Sequence, residues 1–150
     1  MARRSIFELA YRYIEPSVRR QLAVELCRRG IPRGRVAEAI GISQSLLTRY
    51  LRGERGSRLD LTPYRDVVEL VARLAEKALE ARRVELDEGI YRIVLYFLSR
   101  RYFCNTHVAL DRSINPATCR ICPTLFGIGG EGGEHQSRTS PPIPAERGEP

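Results

Sequence analysis

Apolar positions recur with a helical period along nearly the whole first two thirds of the chain. Ile6, Leu9, Ala10, Tyr13 and Ile14 follow i, i+3, i+4, i+7, i+8. Ser5 and Glu8 ahead of them have the spacing of a capping box, in which each side chain satisfies a free backbone amide. Pro16 is expected to end this helix or open the next, because its ring lacks an N–H and crowds the preceding turn. Val18, Leu22 and Leu26 form a second stripe, flanked by Ala23 and Cys27 and stopped by Gly30. A short helix is predicted from about Pro32 to Ile40, closed by Gly41, and another from a Ser43 cap to Gly53.

Beyond a Gly- and Arg-bearing loop at 53–61, Thr62-Pro63 reads as a cap followed by a proline at the first helical position. Tyr64, Val67, Val68, Val71, Leu74, Ala75 and Ala78 then give a long stripe. Asp87 is placed to cap a last helix, with Leu86 and Tyr91 as its staple and Ile90, Ile93, Val94 and Phe97 as its inner face. The helical pattern stops after Arg101. The pattern thus predicts an all-α fold in four segments. Residues 1–62 carry a helix-turn-helix, and 63–101 complete a core or a dimer interface. Residues 102–126 form a small Cys/His-rich module, and 127–150, with ten Gly or Pro, are expected to be a disordered tail.

The segment from Ile31 to Gly53 meets the demands of two helices crossing through a tight turn. Ala37 is small where the second helix passes, and Gly41 supplies the turn. Ile42 and Leu47 join the two helices, while Tyr50 and Leu51 face the core. Removing those positions leaves Ser43, Gln44, Ser45, Thr48, Arg49 and Arg52 for the surface of the second helix. These are residue types that read base edges and phosphates. Arg33, Arg35 and Arg55 are placed for backbone contacts, with Arg58 nearby, and no acidic residue lies between Ala39 and Gly53.

Charge strengthens this reading. The chain of 150 residues carries a net +7, and residues 1–62 alone hold 13 Arg against 6 acidic residues. The rest is close to neutral, so the excess belongs to one module and points to a polyanion there. Because 24 of the 25 basic residues are Arg, coding bias inflates the total, but it does not explain the asymmetry. The longest apolar run, Ile93 to Leu98, is too short to cross a bilayer, and the Met-Ala-Arg-Arg-Ser opening lacks the apolar stretch of a leader. A cytoplasmic protein is expected.

Pro16-Ser-Val-Arg-Arg-Gln-Leu-Ala-Val-Glu-Leu…Gly30, followed by Val36-Ala-Glu-Ala-Ile-Gly-Ile-Ser-Gln-Ser…Arg49-Tyr-Leu-Arg-Gly53, resembles the helix-turn-helix of Cro/lambda-repressor-like regulators. Within that group it most resembles predicted archaeal transcriptional regulators. The resemblance covers about a quarter of the chain firmly and extends loosely toward the Cys-bearing end. It implies sequence-specific binding of double-stranded DNA, and because one helix-turn-helix reads only a few base pairs, a homodimer assembled mainly through the helices after residue 62 is expected.

Cys104-Asn-Thr-His107 and Cys119-Arg-Ile-Cys122 make a second constellation, C-x2-H-x11-C-x2-C. Two pairs joined by a short loop suit a tetrahedral Cys3His zinc site, structural because no coordination position is left open. An iron–sulfur cluster with one His ligand is the lesser alternative, and a redox pair at Cys119 and Cys122 would need a strand-to-helix setting. Cys27 reads as a small core residue and His135 as a tail residue without a role. The remaining function classes are a protein-interaction adaptor using the Cys/His module and an enzyme. Nucleophile motifs, phosphate loops and paired carboxylates are missing from the sequence, so no catalytic residue is assigned. Operator, effector and direction of regulation leave no trace in the residues.

Overall fold

In a computed structural model, residues 3–127 are described, and among them every regular element is a helix. The expected tail, with His135, therefore lies outside the described residues except for Gly127. The elements are α1 (Ile6–Leu9), a π-helical turn (Ala10–Ile14), α2 (Glu15–Arg28), α3 (Arg33–Ile40), α4 (Gln44–Leu51), α5 (Arg65–Lys77), α6 (Arg83–Ser99), α7 (Cys104–Leu110) and α8 (Ile121–Phe126). No helix of the described residues is long and apolar enough to cross a membrane.

Pro16 stands in the first turn of α2, as expected of a helix opener, and the chain runs into it from α1 without a break. With no N–H to give to the carbonyl one turn back, it is accommodated by widening the preceding turn, and the Glu15 N–H bonds to the Ala10 carbonyl across a π turn. The buried Ser17 hydroxyl donates to the Tyr13 carbonyl at 2.8 Å. One long helix with a π turn at its waist thus runs from Ile6 to Arg28. At its start Ser5 accepts from the Phe7 N–H at 3.3 Å, while Glu8 turns to Arg12 at 3.2 Å instead of closing the expected box.

α2 is the axis of the molecule. Val18, Leu22, Ala23 and Leu26 are fully excluded from water, and α3, α4, α5 and α6 all pack on this helix. A single apolar cluster extends from Leu9 to Phe103, so residues 1–62 and 63–101 share one core. The stripe predicted along α5 is taken up in it, with Val67, Val71, Ala75 and Ala78 all buried. α6 approaches α5 closely at Gly89, where a Cβ would stand 2.5 Å from Leu74 Cδ1. Arg19 on α2 adds a polar tie, pairing with Glu15 at 3.1 Å and reaching Asp87 on α6 at 3.3 Å.

Two helix starts differ from the sequence expectation. Thr62 does not cap α5. Its N–H and hydroxyl both bond to the Asp60 carboxylate, at 2.9 and 2.8 Å, in a turn that stops short of the helix at Arg65. Asp87 does not cap α6 either. That helix begins a turn earlier at Arg83, where the Glu85 carboxylate accepts from the Arg82 backbone N–H at 3.0 Å. Nor does helix stop at Arg101, since α7 and α8 follow.

Candidate nucleic-acid interface and Cys/His cluster

α3 and α4 are two eight-residue helices joined through Gly41, Ile42 and Ser43. Gly41 takes φ +76°, and the N–H groups of Gly41 and Ile42 both reach back to the Ala37 carbonyl. A left-handed residue there costs Gly least, and a Cβ would also meet the Arg83 guanidinium at 3.0 Å. Ser43 Oγ accepts from the Leu46 N–H at 3.1 Å, a capping bond that satisfies a free amide of α4. Ala37, Ile40, Leu47 and Tyr50 are buried, and Ile42 and Leu51 half-buried, so the apolar positions expected between the helices point inward. At the far end of α4 the Arg20 guanidinium of α2 donates to the Tyr50 carbonyl at 3.0 Å, a cation at the negative end of the helix.

The opposite side of α4 is polar. Gln44, Ser45, Arg49 and Arg52 are exposed and Thr48 is half-buried, spaced so that they share one stripe. Ser43, Arg33, Arg35 and Arg55 are exposed as well. A Cβ at Gly34 would stand 3.7 Å from the Gln44 amide nitrogen, which sets the start of α4 beside the start of α3. Thr48 donates its hydroxyl to the Gln44 carbonyl at 3.0 Å, leaving its methyl and oxygen lone pairs for a partner. Arg55 lies beside the Tyr50 hydroxyl, which burial holds above its ordinary pKa against the pull of Arg55 and Arg19.

One part of this surface is invisible in the sequence. A groove of about 330 Å³ is lined by Arg49, Arg55 and Arg58 together with Tyr11, Arg12 and Tyr13 from the first helix. Four arginines thus line one recess with a single acid, Glu54, whose carboxylate is 4.0 Å from Arg49, while Arg12 is also paired with Glu8 outside the lining. Arg58 lies over the Tyr13 ring at 5.7 Å. The sequence pattern assigned no role to Tyr11 or Arg12, because the loop that brings Arg55 and Arg58 to them returns from a distance. Gly56 lets that loop lie flat on α2. A Cβ there would be 2.5 Å from the Pro16 carbonyl.

At the other end, α6 closes with Arg101 at φ +63°, the only non-Gly residue in the left-handed region among those described. The Arg101 N–H returns to the Leu98 carbonyl and the Tyr102 N–H to the Phe97 carbonyl. The Arg101 guanidinium bonds the Pro116 carbonyl. The reversal buries Phe103 and brings Tyr102 against Tyr64, with ring centroids 4.6 Å apart. Asp66 on α5 accepts from the Tyr96 and Tyr102 hydroxyls at 2.6 and 2.7 Å. Against a burial that raises its pKa, those bonds hold the carboxyl below its ordinary value.

Beyond this knot α7, α8 and the loop between them bring Cys104, His107, Cys119 and Cys122 to the wall of one cavity of about 30 Å³, with Ile6 and Ile114 also lining it. The four residues singled out by spacing are therefore neighbours. His107 stacks on Phe103 at 6.0 Å, and its Nε2 is buried with no hydrogen-bond partner. Burial, then the nearness of Cys104 and Cys119, pushes the Cys122 thiol up to about 11. Among the described residues no group of three or more His, Cys, Asp or Glu stands in an arrangement that could hold a metal ion. Cys27 stands apart on α2, half-buried against the core.

No family model, curated protein or solved structure matches the chain.

Proposed function

We propose that this chain is a cytoplasmic transcription regulator of the Cro/lambda-repressor-like kind, which binds double-stranded DNA sequence-specifically as a homodimer. The observation that carries the reading is the division of α4. It buries Leu47 and Tyr50 while exposing Gln44, Ser45, Arg49 and Arg52, with no acid on the helix. In this reading α3 and α4 form a helix-turn-helix, and α4 enters the major groove with its first turn toward the bases. Gln44 is suited to adenine and Arg49 to guanine, and Ser45 and Thr48 are permissive contacts. Arg33, Arg35, Arg52 and Arg55 hold phosphates, and Arg12 and Arg58 extend that contact along the groove.

A single helix-turn-helix reads few base pairs, and two copies related by a two-fold axis would set recognition helices about 34 Å apart. The α5 stripe is spent in the monomer core, so the dimer surface is assigned to α6, where Tyr91 is 48% and Leu95 40% exposed. Leu95 borders an open recess with Leu70 and Phe126. The experiment is selection of bound fragments from random duplex DNA at moderate salt, with light scattering on free and bound protein. Enrichment of an inverted repeat and a dimeric mass support the proposal. Equal retention of all sequences sinks it, and a monomeric mass in both states removes the dimer.

A further inference from the structure

We propose that Cys104, His107, Cys119 and Cys122 hold one Zn2+ ion, and that this ion is the clasp fastening α7 and α8 to the first helix. The proposal stands apart from DNA binding and rests on four observations. All four side chains reach one cavity, although they come from two short helices and the loop between them. The cavity, about 30 Å³, matches the room of a single water molecule or ion, not that of an organic ligand. The His107 Nε2 faces burial without a partner, a state that is rare for a polar atom and that a metal bond relieves. Finally, neither α7 nor α8 has a single buried residue, so apolar packing alone holds them weakly.

The donor set selects the metal. Three thiolates and an imidazole suit tetrahedral zinc, and four protein ligands leave no position for substrate, so the site is structural. An iron–sulfur cluster needs space for its sulfides as well as its irons, more than this cavity offers. On binding, the three thiols release their protons to solvent and the neutral imidazole gives its Nε2 lone pair, leaving a site of net charge −1. Because the four groups line the cavity without yet converging, closure on the ion turns their side chains and draws α7 and α8 inward. Ile6 lines the same cavity and Phe7 meets Phe126 edge-to-face at 5.9 Å, so the drawn-in module grips the first helix.

The test uses the full chain purified without chelator. The expected metal content is about one zinc per chain. Replacement by Co2+ should give the intense thiolate-to-metal absorption and visible bands of a tetrahedral site. Cys119→Ser and His107→Ala should lose the metal, whereas Cys27→Ser keeps it and His107→Cys, which restores a fourth soft ligand, retains it. Less than about a tenth of an equivalent of zinc overturns the proposal, as does iron accompanied by acid-labile sulfide. So does a Co2+ titration of the parent without thiolate absorption, a measurement that needs no variant to fold.

Discussion

The α2–α4 end and the α7–α8 end are built on opposite terms. In the first, each helix sends residues into the common core, and Gly41, Ser43 and Arg20 satisfy the helix ends. With folding secured by burial and capping, the outer surface is free to carry Arg and amide groups that contribute little to stability. In the second, the helices bury nothing completely, and the polar groups turn inward around a small cavity. A region whose helices bury no residue completely, and which leaves Ile121 and Leu125 exposed, draws less of its order from apolar burial than the first.

On the zinc proposal, chelation is the largest perturbation expected of this contrast, because apparent structural-zinc energies reach about 10–16 kcal/mol in small domains. Amide exchange should accelerate over residues 102–127 while α2, α3 and α4 keep their protection. Equal acceleration at both ends would erase the distinction. Next in size is Leu47→Ala. A buried leucine between α3 and α4, 1% exposed, should cost about 2–5 kcal/mol in denaturant unfolding. A loss under about 1 kcal/mol would mean that the pair is not held by its core.

Arg49→Ala should weaken binding to the selected site by roughly 1–3 kcal/mol and relax preference at one base pair, leaving thermal stability nearly unchanged. Arg55→Ala should instead weaken all duplexes alike and lower the salt slope by about one. If both variants behave identically across sequences, base reading is not assigned to Arg49.

Asp66→Asn tests the knot between the two ends and is expected to cost about 1–2 kcal/mol near neutral pH, through its two tyrosine hydrogen bonds. The folded carboxyl titrates below its ordinary value, so its contribution is complete above about pH 4 and drains as pH falls through the folded value. The parent and Asp66→Asn should therefore converge in stability in acid. A gap that stays constant with pH would show that the charge plays no part. Smallest is Arg101→Gly. It relieves a left-handed arginine but gives up the bond to Pro116, so net stability should move by less than about 1 kcal/mol while exchange over 102–120 rises.

Local signals carried much of this protein. Gly41, Ser43 and Gly53 bound α3 and α4 within a residue or two, because a left-handed stop and a side-chain cap act on neighbouring backbone groups. The inward residues of that pair, the charge asymmetry and the pairing of Cys104 and His107 with Cys119 and Cys122 were equally open to reading, since each depends on spacing or count. Tertiary packing decided the rest. The Tyr64–Ala78 stripe fits a core or an interface equally well until α2 and α6 close over it. Asp87 has the chemistry of a cap, but Arg19 of α2 takes it from a distance, whereas Thr62 is held by its near neighbour Asp60 in a local turn. The groove of Arg12, Arg49, Arg55 and Arg58 joins segments far apart in sequence, and α7 and α8 lie where apolar periodicity is too weak to announce a helix. Caps, turns and spacings act over a few residues and are written in the chain. Which of several competent partners a side chain meets is set by the chain's return from a distance, and only the folded packing fixes it.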